Sequence, residues 1–482
     1  MENKLTKKYG LFTAICMVVG IVVGSGIFFK AQDILDATGS NLKIGVLAWL
    51  IGGAIMLFCL LAFSGMAQKF EKVNGIVDYA EALVGGKYAY YMGWFTTFIY
   101  YPAMTSVLAW VSARYTLVFL TTANPNFPMT IPAAEGGCII GPECMVIMMF
   151  YLCMAYVVNS ISPKLAGKFQ TTTTVIKFVP LVLMTVVGIL YGLCNSSHTL
   201  IENFASSTVP EGKSFMGLLF AAVCTTAFAY EGWIIATSIN AELKNSKKNL
   251  PIALTLGGII IITIYVGYNL GVAGGASNSE LVEKGATVAF RNIFGGFLGN
   301  LLNLFIAISC LGTLNGLMLA STRGIYAIAA RKQGPAHEIF SQIDGKTNMP
   351  NNSAIIGLAV CAVWGTYFYF ANLADAWGGI FAFDSSELPI ITIYAMYLPI
   401  FIMWMVKARD ENIWKRFVLP MFAILGSVIM VGTCIYKHGM PCLGYLIVFA
   451  VIMGVGGIFL HRRKKVSNEN TEPENTTEAK TE

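Results

Sequence analysis

Long apolar runs, each about twenty residues or a little more, alternate along the chain with short clusters of charge. At about 1.5 Å rise per residue, a helix of that length covers a hydrocarbon layer of about 30 Å. Barrel strands would need only about ten residues with strict two-residue alternation, and lipid offers no hydrogen-bond partner to an open backbone. The pattern therefore predicts an all-α integral membrane protein of about twelve spans. These are expected near residues 11–36, 44–68, 88–120, 144–161, 171–193, 214–241, 252–275, 296–330, 352–371, 377–406, 416–436 and 441–461.

Composition agrees: of 482 residues, 56% are hydrophobic and only 12% charged, which no ordinary soluble domain shows. A formal charge of +6 would suit nucleic acid if it were gathered in one patch. Here the basic residues are scattered through short inter-span segments and report orientation instead. With the N-terminus inside, the cytoplasmic segments carry 22 Lys and Arg, while the outer ones keep six: Lys30, Lys43, Lys213, Lys284, Arg291 and Lys437. Both termini are thus predicted cytoplasmic. The opening residues 1–10 lead into an apolar run with no small-residue cleavage site, so that run is read as a retained first span. After Lys465 the chain turns polar throughout, and residues 462–482 are expected to form a disordered tail.

A catalytic reading finds little support. The four histidines fall in loops or at span ends, and no HExxH, Walker lysine or GxSxG motif occurs. Neither an enzyme nor a cofactor is expected. The eleven cysteines lie mostly inside apolar runs with no metal-ligand spacing, so no metal is expected either. Only Cys138 and Cys144, flanking the Gly and Pro of one loop, are placed for a disulfide.

Glycine interruptions point elsewhere. Span 1 reads GIVVGSGIFFK, with Gly20, Gly24 and Gly26 where a continuous helix disfavours glycine by about 1 kcal/mol each. Span 6 reads FAYEGWIIATSIN, with Gly232 beside the ionisable Glu231. Five spans precede span 6, so the interruptions match under a five-plus-five inverted repeat, the arrangement of many secondary transporters. Residues 11–193 would form the first repeat, 214–406 the second, and 407–461 two additional helices. A half-helix starting at Ser25 and Gly26 would offer unpaired amides to a carboxylate. Carbonyls ending the preceding half-helices, near Val22, Phe228 and Ala229, would suit an ammonium, so one site complements a zwitterion. The competing reading is that these glycines only allow close helix packing.

Two further residues fall near mid-depth when residues are counted from the inner surface. Lys177 lies about 13 Å beyond Lys168, and Ser321 about 15 Å from Arg331. An intramembrane lysine is costly unless paired or hydrogen-bonded and is a functional candidate by default, with snorkelling to the surface as the bland alternative. Arg323 is closer to the inner end and is expected to snorkel or pair there.

Four runs in order and correctly spaced resemble the amino acid–polyamine–organocation (APC) superfamily, and within it the L-amino acid transporter family, over roughly residues 9–465. They are GSGIF at Gly24–Phe28, FAYEGW at Phe228–Trp233, AELKNSKKNLP at Ala241–Pro251 and SCLGTLNGLMLASTR at Ser309–Arg323. The resemblance implies that the substrate carboxylate meets the main chain at Gly24, Ser25 and Gly26, and the amino group carbonyls at Val22, Phe228, Ala229 and Glu231. Trp233 belongs to the same substrate-binding set, and Phe228 resembles the gating aromatic. Lys177 matches a span 5 lysine occupying a region that related families use for sodium, with Ser321 as its expected hydrogen-bond partner. The implied protein is a sodium-independent amino acid exchanger in the cell membrane, surrounded by lipid. Eukaryotic relatives pair with a heavy subunit through a cysteine in the outer loop after span 3, but the two cysteines here, Cys138 and Cys144, are no evidence of a partner. Neither an obligatory second subunit nor nucleic acid is expected. A proton-coupled symporter, using Lys177 or Glu231, and a non-transporting amino acid receptor remain as alternatives. Glu231 is expected to favour neutral polar or cationic substrate side chains over acidic ones.

Overall fold

The computed structural model describes residues 10–24, 26–70, 75–161, 163–236, 243–345, 347 and 349–469. Among them there is no β-strand, and ten helices are long and apolar enough to cross a membrane. The two remaining spans are each broken. Span 1 comprises Leu11–Val22 and Gly26–Ala37, and span 6 comprises Phe215–Ala229 and Trp233–Ala236. The breaks stand where the glycines predict them.

Other boundaries moved for identifiable reasons. Span 10, expected from residue 377, begins at Leu388. Asp384 makes a turn just ahead of it: its Oδ1 accepts from the amides of Ser386 at 2.6 Å and Glu387 at 3.0 Å, leaving the preceding residues outside the helix. Span 8 lengthens to Ala286–Ala329, with Gly295 at φ 81° marking a kink between two helical segments. The last helix runs from Pro441 to Glu469, so residues 462–469, expected in the tail, extend it, while 470–482 lie outside the described residues. Cys138 and Cys144 are both buried and not bonded to one another.

The halves of span 1 and the first half of span 6 sit together inside the bundle. Leu11–Val22 packs on span 7 (Ser246–Gly275), and Phe215–Ala229 packs on Gly26–Ala37, on span 2 (Leu42–Lys69) and on span 11 (Leu419–His438). Span 8 lies against span 3 (Gly86–Ala123), span 5 (Pro163–Cys194) and span 9 (Asn351–Leu373). Close approach relies on small residues: a Cβ at Gly188 would stand 2.4 Å from the Gly271 oxygen, and one at Gly192 2.4 Å from Gly274 Cα.

Charge separates the two ends of this bundle. At one end Lys69 donates to Asp410 and Arg331 to Asp78. The exposed Asp410 carboxylate is held below its usual range by the Lys69 hydrogen bond. At the other end Lys30 and Lys437 both meet the buried Glu387, at 2.9 and 2.7 Å.

Candidate functional site

The two breaks meet. A Cβ on Gly26 would lie 2.4 Å from Ala229 Cα, so the start of the second half of span 1 rests on the last residue of the first half of span 6. Tyr265 of span 7 joins the carbonyl ends: its hydroxyl lies 3.0 Å from the Val22 oxygen and 3.0 Å from the Ala229 oxygen, and it donates to this pair. Both carbonyls lack a following helical turn because the chain breaks after them, so each accepts a side-chain donor instead. Trp49 and Tyr230 pack edge-on and tilted against the Tyr265 ring, with centroids 5.5 and 5.1 Å away. That wall holds the hydroxyl in place.

Lys177 is fully buried and points into the first break. Its Nζ donates to the carbonyls of Gly20 at 2.6 Å and Val23 at 2.7 Å, with Thr313 Oγ1 at 3.5 Å. It therefore does not snorkel. The expected partnership with Ser321 is not formed: Ser321 Oγ lies 3.2 Å from Thr105 Oγ1 on span 3. Counting from the true helix ends explains the correction. Lys177 is about 21 Å from Pro163 and Thr313 about 24 Å from Ala329, whereas Ser321 is only about 12 Å from that end. Thr313, inside the motif at Ser309–Arg323, is the residue at matching depth. A Cβ on Gly24 would come within 2.7 Å of its hydroxyl.

Glu231 turns the other way. Tyr100 donates to its Oε1, and Oε2 has no hydrogen-bond partner among the described residues. Trp233, which follows the positive-φ Gly232, packs against Phe63 at 5.6 Å and Tyr397 at 5.7 Å, so these rings belong to the same buried aromatic cluster. Phe228 stands at the opposite boundary, with Lys30 Nζ 5.7 Å from its ring centre. Val22, Gly24, Gly26 and Ala229 are thus brought together, Phe228, Glu231 and Trp233 flank them, and Ser321 lies apart. Ser25 lies outside the described residues. Sequence reasoning missed Tyr265, Thr313 and Tyr100. Their signal was a hydroxyl within an apolar span, which must find a partner, but nothing along the chain says which one.

A family model described as amino acid permease matches residues 9–458. The chain belongs to that family. Similar proteins include the serine/threonine exchanger SteT of Bacillus subtilis, 28% identical over 467 residues that cover 95% of this chain and 96% of the relative. The human large neutral amino acids transporter small subunit 2 is 26% identical over 350 residues, covering 72% of this chain and 62% of that protein. The mouse Asc-type amino acid transporter 1 is 26% identical over 349 residues, with the same coverage. The APC resemblance seen in the motifs therefore holds, and this permease is a multi-pass transporter of amino acids rather than an enzyme.

Proposed function

We propose that this permease exchanges amino acids independently of sodium by alternating access at the junction of the two breaks. The observation that carries the reading is the convergence of the Val22 and Ala229 carbonyls on one donor, Tyr265. A substrate ammonium would take these carbonyls as the hydroxyl yields, while its carboxylate would meet the amides opening Gly26–Ala37. Sodium independence rests on Lys177, whose ammonium already fills a set of two carbonyls and one hydroxyl suited to a small cation. Counterflow in sodium-free proteoliposomes tests this: uptake should require amino acid inside the vesicle. Uptake into empty vesicles driven by an acid-outside gradient would favour proton symport, the reading supported by the open Oε2 of Glu231. Binding without flux under either regime would point to a receptor.

The proposed motion rocks spans 1, 2, 6 and 7 against the rest, following the five-plus-five repeat, with Phe228 as the gating ring. The end holding Lys69, Arg331 and Asp410 is assigned to the cytoplasm of the cell, on the excess of basic residues there. No obligatory second subunit is proposed, although one relative is named a small subunit. Cys138 packs by Thr121 and Cys144 is fully buried, so neither presents a surface thiol for a bridge between chains.

Glu231 is the proposed determinant of side-chain charge. Its unpartnered oxygen in an aromatic surround suits a cationic or neutral polar side chain and disfavours an acidic one. Competition by lysine, alanine and glutamate, measured on the parent and on Glu231→Gln, checks this. Lysine recognition should weaken by about tenfold or more, the worth of one charge-assisted hydrogen bond, with alanine little changed. Equal loss for all three would assign Glu231 to holding the break together through Tyr100.

A further inference from the structure

The bundle end around Glu387 gathers side chains from three separate parts of the chain. Cys224 lies on Phe215–Ala229, Cys434 and His438 lie on Leu419–His438, and Glu387 immediately precedes span 10. The two sulfurs and an imidazole nitrogen of His438 all lie within 4.8 Å of one another. Glu387 stands beside two of them, its Oε2 3.7 Å from Cys224 Sγ and 2.9 Å from His438 Nε2. Both thiols are buried, whereas the His438 side chain keeps 12% exposure and Lys437 beside it 24%. The soft donors are inside and the imidazole is toward the opening.

We propose that Cys224, Cys434 and His438, with solvent at the fourth position, form a site for a thiophilic d10 cation such as Zn2+, whose binding fastens the first half of span 6 to span 11 and arrests exchange. A tetrahedral zinc with bonds of about 2.3 Å to sulfur and 2.0 Å to nitrogen sets its ligand atoms about 3.3–3.8 Å apart. The three ligand atoms already lie within 4.8 Å of one another, so no separation has to close by more than about 1.5 Å. On binding, each thiol releases its proton to solvent and the metal takes two thiolates, so the two positive charges of the ion are balanced within the site. That balance decides the class of metal. Lys30 and Lys437 already crowd Glu387, and a hard cation such as Mg2+ or Ca2+, which draws no thiolate, would meet their ammonium groups uncompensated. The overlapping group of Asp384, Glu387 and His438 is the weaker choice, because both carboxylates are engaged, Asp384 by the amides of Ser386 and Glu387 and Glu387 by Lys30 and Lys437.

The mechanical consequence follows from position. Cys224 lies one helical turn before Phe228, on the half-helix that ends at Ala229 and packs on span 11. A metal bridging Cys224 to Cys434 and His438 holds that half-helix in the arrangement seen here. This part rests on the proposed exchange, whereas metal binding itself does not.

The test uses the full-length protein in two assays. In detergent, Cd2+ should produce the ultraviolet charge-transfer band of a metal thiolate, and Zn2+ should abolish it by competition while Mg2+ and Ca2+ do not. In proteoliposomes, Zn2+ should stop counterflow and a chelator should restore it. Cys434→Ser and His438→Gln should each exchange at the parental rate without metal and need at least about tenfold more zinc for inhibition, since even indirect partners of a metal cost that much. Absence of the thiolate band overturns the site. So does equal zinc sensitivity in both variants. Inhibition relieved by a thiol reductant but not by a chelator would place a disulfide there and overturn it as well. A thiolate band with counterflow unaffected overturns the fastening alone, and a thiolate band in a protein that never exchanges supports the site while the proposed exchange fails.

Discussion

Gly26→Val is expected to abolish substrate binding and exchange. The added Cβ alone would sit 2.4 Å from Ala229 Cα and 3.1 Å from Ala229 Cβ, and the obstruction is backbone, which has no rotamer to escape into. Two further methyl groups deepen the clash. The breaks must then separate, and every group held between them shifts: the Val22 and Ala229 carbonyls leave Tyr265, and the amides opening Gly26–Ala37 lose their alignment. Loss of two charge-assisted hydrogen bonds to a carboxylate, each about 1.5–3 kcal/mol, weakens binding by at least about a hundredfold. Equilibrium binding of a labelled amino acid to the solubilised protein reads this directly, and Gly26→Ala should fall between parent and valine. Unchanged affinity in the valine variant would reduce Gly26 to a packing residue. At Gly26 the packing contact is also the contact between the two breaks.

Lys177→Ala is the second large effect, and it should impair transport more than folding. The ammonium is the common donor to the Gly20 and Val23 carbonyls at the end of the first half of span 1. Removing it strands two buried acceptors, at about 1–3 kcal/mol each, and leaves a hole where the side chain lay. The damage is local to a segment that is already broken, so it should appear as a loosened break rather than as global unfolding. We expect exchange to fall by about tenfold or more while the protein still inserts and purifies. Lys177→Met restores most of the volume without the charge and separates the terms: if methionine recovers exchange, Lys177 acts by filling space. Parental exchange in the alanine variant would remove it from the mechanism.

The size of both effects depends on how little slack the centre has. Gly24 rests on Thr313, Gly26 on Ala229 and Gly20 on Thr174, each within 2.8 Å of where a Cβ would be. Hydrophobic association contributes little between helices already in lipid, so close packing and hydrogen bonds across helices hold such a bundle together. Disturbing one of these contacts is therefore felt at the next.

What the sequence determined by itself was whatever is written in local order. Apolar run length set the number of spans, because the rise of a helix and the thickness of a bilayer are constants. Glycines in spans 1 and 6 located both breaks, since a helix resists them there, and the order of four motifs was enough to indicate the family. Only the tertiary structure decided which side chains meet. Tyr265 bridges Val22 and Ala229 across separations of 243 and 36 residues, and Lys177 finds Thr313 instead of Ser321 because the true helix ends set the depth. Cys434 and His438 stand four residues apart on one helix face, but nothing along the chain says that Cys224 joins them, since a membrane helix records its neighbours only through close packing, and packing has no period in the sequence.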